Sequence, residues 1–292
     1  MFFVTGGTGF IGKYVVKKLI KNQKKVIVLV RNSHNYHAQG DETVIEGTLN
    51  KPELWENALK DYTINTCIHL AWEGIPDYSY EMSKKNLLYG LRVLDICKEF
   101  RIPNLVITGS CWEYDTPCGS ISVKSPTSQE NPFKASKNSL RIMAHLFCLE
   151  NKIHFNWLRL FYVYGPGQRE GSLIPYIIQC FKQRKQPELS GAYNRNDFIY
   201  VTDVADAIIK VSCNHIYPEI LNIGNGKSIQ VLSVVKIIAR DLGYTLDENA
   251  FSNSMNSVDF YADQMEMYKD FSWKPTVTIE QGIKYMIEAA KG

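Results

Sequence analysis

The sequence predicts an α/β fold: a doubly wound parallel sheet followed by a smaller mixed α/β domain. Three observations carry this. Short apolar runs alternate with helical patterns over the first half of the chain. Three glycines, Gly6, Gly9 and Gly12, fall between the first strand and the first helix. After the turn cluster Gly165-Pro166-Gly167 the alternation gives way to shorter, mixed elements.

In order, the strands are expected at residues 2–5, 26–30, 44–46, 66–70, 104–108 and 155–160. The run 26–30 (VIVLV) is apolar throughout and rich in β-branched residues, as suits a parallel strand covered on both faces. Helical spacing of Ile11, Val15, Val16, Leu19 and Ile20 predicts a helix over 11–21. Further helices are expected at 52–59, 80–100 and 131–151. Beyond residue 165 the pattern gives helices at 173–182, 204–211, 231–242 and 279–290, with short strands near 197–201 and 221–223. The expected division is a dinucleotide-binding domain over 1–165 plus about 197–224, and a substrate domain over 166–196 and 225–292.

The chain has 292 residues, room for one large domain or two unequal ones. At 45% hydrophobic and 22% charged it is of ordinary globular composition, which excludes disorder. The net charge of +3 comes without a block of like charges, so no nucleic-acid surface is expected. Seven cysteines, an odd count with no Cys-x-x-Cys pair, argue against a disulfide framework or a zinc site. No apolar run reaches membrane-spanning length, and strand signal begins at Phe2. The expectation is a cytoplasmic protein with no metal, no membrane and no nucleic-acid partner.

The string Gly6-Gly7-Thr8-Gly9-Phe10-Ile11-Gly12 assigns each glycine a task. Gly6 permits a sharp turn, Gly9 lets backbone approach a pyrophosphate, and Gly12 lets the helix pack close to the sheet. The following helix N-terminus offers N–H groups and a favourable dipole to phosphate. This is a Rossmann-type βαβ unit. At the end of the second strand Val30 takes the place where an NAD site carries an acid, and Arg31 follows. An Arg there suits a 2′-phosphate, so NADP(H) is expected over NAD(H), which stays possible. Thr48 and Leu49 are expected to flank the adenine, and His69-Leu70-Ala71 to line the pyrophosphate and ribose, with a satisfied core histidine as the alternative for His69.

Together with Thr108-Gly109-Ser110, residues 131–137 (NPFKASK), 158–167 (LRLFYVYGPG), 197–205, 221–226 and Trp273-Lys274-Pro275, these segments resemble the extended short-chain dehydrogenase/reductase superfamily. The resemblance lies in its nucleotide-sugar epimerase, dehydratase and reductase branch and runs along nearly the whole chain. It implies a catalytic Ser at Ser110 and a Tyr-x-x-x-Lys whose Lys is Lys137 and whose Tyr position holds Phe133. It implies further cofactor contacts from Thr8, Phe10, Ile11, Trp72, Asn86, Thr108, Lys137 and Phe161. The substrate would meet Trp72, Ser110, Cys111, Trp112, Phe133, Tyr162 and Arg195. A phenol beside an ammonium exchanges protons readily with a sugar hydroxyl or ketone, whereas phenylalanine has none to give. Three readings follow: a deliberate, engineered Tyr→Phe change that disables an otherwise intact set, a natural pseudoenzyme that only binds, or another group that supplies the proton. The intact surroundings favour the first.

Within the resemblance, dehydratases carry an acid pair where this chain has Cys111 and Trp112. The Cys and His of the epimerase-reductases are not matched either, since Cys111 is one residue out of place and Ser172 takes the His position. The loops at 70–78 and 108–114 look like those of dTDP-4-dehydro-6-deoxyglucose reductases. The expected activity is therefore NADPH-dependent reduction of a 4-keto nucleotide sugar. A 4-epimerase with retained cofactor is the alternative, and a non-catalytic NADP(H)-binding protein the alternative of another class. The segment 254–259 lacks a second basic residue for the substrate phosphates. A homodimer is expected through helices 80–100 and 131–151, with Leu87, Leu91, Leu94, Leu140, Met143 and Phe147 available to the seam.

Overall fold

The structure, a computed structural model, describes residues 1–115, 118–214, 219–251 and 259–291. Its main sheet has seven strands: β1 (Phe2–Thr5), β2 (Val26–Val30), β3 (Thr43–Glu46), β4 (Thr66–His69), β5 (Asn104–Ser110), β6 (His154–Leu160) and β7 (Ile220–Ile223). Every pairing is parallel, and the spatial order is β7-β6-β5-β4-β1-β2-β3. Helices α1 (Phe10–Lys21), α2 (Tyr80–Glu99), α3 (Pro132–Asn151), α4 (Leu173–Lys182), α5 (Val201–Asn214), α6 (Val231–Asp241), α7 (Met265–Phe271) and α8 (Ile279–Ala289) complete the regular structure.

Alternation within the strands explains the continuous apolar runs. Phe2, Val4, Val26 and Val28 face a core shared with α1 and α5, while Phe3, Ile27 and Leu29 face a second core under α2 and α3. Both faces are covered, so both sets must be apolar. A third apolar cluster joins α4, α6 and α8 to Tyr164, Phe198 and Tyr200. Capping fixes the helix starts: Ser79 Oγ accepts from Met82 N on α2, and Asn131 Oδ1 accepts from Lys134 N on α3, with Pro132 at the first helical position.

The expected helix at 52–59 is instead two 3₁₀ segments, Pro52–Leu54 and Glu56–Asp61. Trp55 between them is buried and its indole N–H bonds to the Thr48 carbonyl at 2.8 Å, which pins the chain against a regular α-helix. β5 runs on through Ser110 because its pairing with β6 continues to Leu160. Of two small sheets only the strand near 197–201 was foreseen, and α7 was not. One sheet pairs Tyr162–Tyr164 with Phe198–Tyr200; the other joins Cys118–Ile121, Arg195–Asn196, Ile229–Gln230 and Asp259–Ala262. Strands of two to four residues are too short to show periodicity. Among the residues expected at a seam, Leu94 and Leu140 are buried in the chain's own core. The outward apolar residues of α2 and α3 are Leu88, Ile142, Met143, Leu146 and Leu149. No helix among the described residues is long and apolar enough to cross a membrane.

Candidate active site

At the middle of the sheet, β1 and β4 lie side by side while the chain leaves them toward opposite faces. Their carboxyl ends therefore part and leave a crevice, the usual ligand position in such sheets. Gly6 turns there with φ +74°, and a Cβ on it would stand 2.5 Å from Ala71 N. A Cβ on Gly12 would stand 2.0 Å from the Gly6 carbonyl oxygen, so α1 sits directly on the turn. Gly9 is the N-cap of α1; no side chain caps it and no acid occupies the first turn. The first-turn N–H groups and the positive end of the helix dipole are left for an anion. Together, the tight turn and the uncapped helix fit a dinucleotide pyrophosphate.

From this turn a cleft of about 370 Å³ opens toward β2 and β3. Gly6, Thr8, Gly9, Arg31, Thr48, Leu49, Leu70, Ala71 and Trp72 line it. So do Glu73, Lys85 and Tyr89, which sequence reasoning did not single out. Arg31 Nη1 is 3.0 Å from Glu73 Oε1, and Lys85 Nζ is 3.0 Å from Glu73 Oε2. Asn86 lines neither this cleft nor the next. It is buried and clasps the loop, accepting from Glu73 N and donating to the Glu73 and Met82 carbonyls. His69 was expected to line the pyrophosphate; it lines neither cleft. It is buried within the sheet, 2.6 Å from Thr5 Oγ1 through Nδ1. Burial, with the Lys137 charge, pulls its pKa down to about 3, so it is neutral.

A second cleft of about 620 Å³ shares Gly6, Gly9, Leu70 and Trp72 with the first and continues the trough. Phe10, Ile11, Gly12, Thr108, Ser110, Cys111, Trp112, Phe133, Lys137, Phe161 and Tyr162 line it, together with Tyr78. Lys137 Nζ donates to the Thr108 carbonyl at 2.8 Å and lies 3.8 Å from the centre of the Trp72 ring. Burial lowers its pKa to about 8, against the opposing pull of Glu113. Phe133 packs edge-on against Trp72 at 5.4 Å and Tyr78 at 5.1 Å between ring centres.

Ser110 ends β5, and its Oγ accepts from Trp112 N at 3.2 Å. Behind it lies Glu113, fully buried. Its carboxylate accepts from Ser110 N at 2.7 Å, from Arg159 Nε at 2.8 Å and from the Trp157 indole at 3.0 Å. Glu113 closes a capping box with Ser110, so the Ser-x-x-Glu spacing in the sequence was a signal that could have found it. Cys111 is buried, and burial followed by the charges of Asp197 and Glu113 pushes its thiol well above the ordinary range. Burial likewise raises Tyr162. Arg195 lines neither cleft; it bonds Ser228 through Nε and Nη2 and approaches Asp259 at 3.5 Å. Residues 254–258 lie outside the described residues.

A family model described as "NAD dependent epimerase/dehydratase family" matches residues 2–224. The UDP-glucuronate 4-epimerase of Thermodesulfobacterium geofontis is 26% identical, over 99% of this chain and 96% of its own. The CDP-abequose synthase of Salmonella muenchen is 26% identical, over 97% of this chain and 96% of its own. The crystal structure of UDP-glucose 4-epimerase from Thermotoga maritima with UDP-glucose matches the fold with a TM-score of 0.87. The two are 21% identical, with 99% of this chain and 98% of that one covered.

Proposed function

The chain belongs to the NAD dependent epimerase/dehydratase family, and from that premise we propose that it reduces a keto group at C4 of a nucleotide sugar with NADPH. One observation carries the reading: among the described residues, no carboxylate and no imidazole lines the cleft that holds Ser110 and Lys137. Eliminating water across a sugar, or inverting a carbon next to a ketone, requires a base to take a C–H proton. Hydride transfer requires none. The protein's part is to hold the sugar carbonyl near Ser110, keep Lys137 against the nicotinamide ribose, and deliver one proton to oxygen.

Arg31 and Lys85 near the adenosine ribose, with Val30 where a carboxylate would hold the ribose diol, favour NADP(H) over NAD(H). Residues 1–165 and about 197–224 would form the dinucleotide unit, and 166–196 with 225–292 the substrate unit. The outward apolar residues of α2 and α3 fit a homodimer seam. A 4-epimerase is the second reading, favoured by the names of two relatives; it needs a base for the sugar hydroxyl, the role Phe133 has lost.

The test is an NADPH absorbance assay on the native and Phe133→Tyr proteins with 4-keto-6-deoxy sugars linked to UDP, dTDP or CDP. One NADPH consumed per sugar reduced, by either form, is the expected result. Epimer formation without net NADPH use would favour the second reading. Cofactor binding with both forms inert on every sugar would leave a binding protein.

A further inference from the structure

Lys137 and Ser110 are in place, Phe133 carries no hydroxyl, and one other phenol rests against that phenyl ring. Tyr78 packs on Phe133 at 5.1 Å between ring centres, the planes at 68°, and lines the same cleft as Ser110 and Lys137. The residue is 48% exposed, and its hydroxyl bonds to no described residue. We propose that Tyr78 is the proton donor of the reduction, in place of the hydroxyl that Phe133 lacks. The inference rests on the ketoreductase reading above.

Three other protic groups of the cleft fit the task less well. Cys111 lines the cleft but is buried, and burial holds its thiol well above the ordinary range, a poor proton donor. Tyr162 is largely buried with its ring turned to Phe198 and Phe260, at 6.0 and 5.9 Å, rather than to Phe133. Lys137 is held by the Thr108 carbonyl and the Trp72 face. Tyr78 combines contact with the Phe133 ring, an unengaged hydroxyl and access to solvent. Its position is fixed by the start of α2. Ser79, the next residue, caps that helix; Ser79 N donates to Asp77 Oδ1 at 2.9 Å, and Asp77 N to the Gly74 carbonyl at 2.7 Å.

When bound, NADPH would supply the hydride for the carbonyl carbon and be left as NADP⁺. The C=O π pair moves onto oxygen. The O–H bond of Tyr78 breaks as a new O–H bond forms on the sugar, and the phenolate takes a proton from water on its exposed side. A phenol is a stronger acid than a sugar alcohol, so the transfer to an alkoxide runs downhill.

Tyr78→Phe keeps the ring and its packing and removes only the hydroxyl. It is expected to slow the reduction of the 4-keto-6-deoxy sugar by roughly 10²–10⁴-fold, the usual contribution of a positioned acid. KM and NADPH affinity in a fluorescence titration should stay close to native. Adding Phe133→Tyr to Tyr78→Phe should restore the rate. A readout free of turnover is fluorine NMR of 3-fluorotyrosine placed at 78: its resonance should move when UDP-glucose is added to the NADP⁺-loaded protein. If the native protein is active and Tyr78→Phe is equally fast, Tyr78 is not the donor and the ketoreductase reading stands. If the native protein is inert and Phe133→Tyr is active, the donor assignment falls and the reading again stands. If every form is inert, both fall. A fluorine resonance unmoved by UDP-glucose also overturns the assignment.

Discussion

Gly12 and Phe133 line the same cleft and are held by different means. Around Gly12 the contacts are backbone on backbone: a turn at Gly6, a helix start with no capping side chain, and a helix laid onto the turn. Around Phe133 they are side chain on side chain: Trp72 and Tyr78 against the ring, Lys137 over Trp72, and the Glu113–Arg159 pair behind Ser110. A backbone site depends on the absence of side-chain atoms, so one added carbon can destroy it. A side-chain site can pass a role to a neighbour, since a hydroxyl missing from one ring is still present on the ring beside it.

Adding one carbon at the backbone end is the strongest way to test this difference. In Gly12→Ala the new Cβ would meet the Gly6 carbonyl oxygen at 2.0 Å and the Gly7 Cα at 2.8 Å. Neither atom can yield without moving the turn. The expected cost is at or above the top of the ~1–3 kcal/mol range for overpacking, with loss of measurable NADPH binding. Thermal unfolding and a cofactor titration read the two effects separately. Native-like binding by Gly12→Ala would break the contrast.

The reaction end carries a titratable group, and its pH dependence has a definite sign. The folded pKa of Lys137 is about 8, below the ~10.4 of an unfolded lysine. Between those values the unfolded chain holds more protons than the folded one, so this group makes stability rise with pH. Below pH 8 both states are protonated and the burial penalty is present in full. Lys137→Met should therefore show less gain in stability than the native protein from pH 8 to 10, read from denaturant midpoints of the ligand-free proteins. Parallel curves for the two would show that the ammonium is solvated.

What could be read from the chain before folding follows the same division. Gly6, Gly9, Gly12 and the strand–helix order were legible because each depends on neighbours in sequence, where spacing maps onto backbone geometry. Ser110 and Lys137 were singled out by resemblance of short strings, and both line the second cleft. Glu73, Lys85 and Tyr78 were not, because their meaning comes from contacts with Arg31 and Phe133, distant in sequence. His69 was misjudged for a related reason: alternation along β4 places it toward Thr5 inside the sheet, and a string such as His-Leu-Ala does not show which of its members faces the crevice. The 3₁₀ segments near Trp55 came from one indole hydrogen bond that no helical pattern reports.

The smallest expected effect lies at the outer rim of the adenosine cleft, where side chains take over from backbone. Arg31 is 72% exposed and shares Glu73 with Lys85. Exposed ion pairs of this kind are worth ~0–1 kcal/mol, so Arg31→Ala should weaken NADPH by at most about fivefold and leave NADH unchanged. Glu73 is expected to have the opposite sign of effect, because its carboxylate occupies the two cations and would repel a 2′-phosphate. Glu73→Gln should therefore tighten NADPH by a similar factor, again without moving NADH, and the gain should shrink as salt is added. Calorimetric titration of both cofactors at low and high salt measures all of these. Equal affinity of the native protein for NADPH and NADH would end the claim of NADP(H) preference. A Glu73→Gln variant that bound NADPH no better would show that the rim cations reach the phosphate despite their carboxylate, leaving Arg31 and Lys85 as the whole of the selectivity.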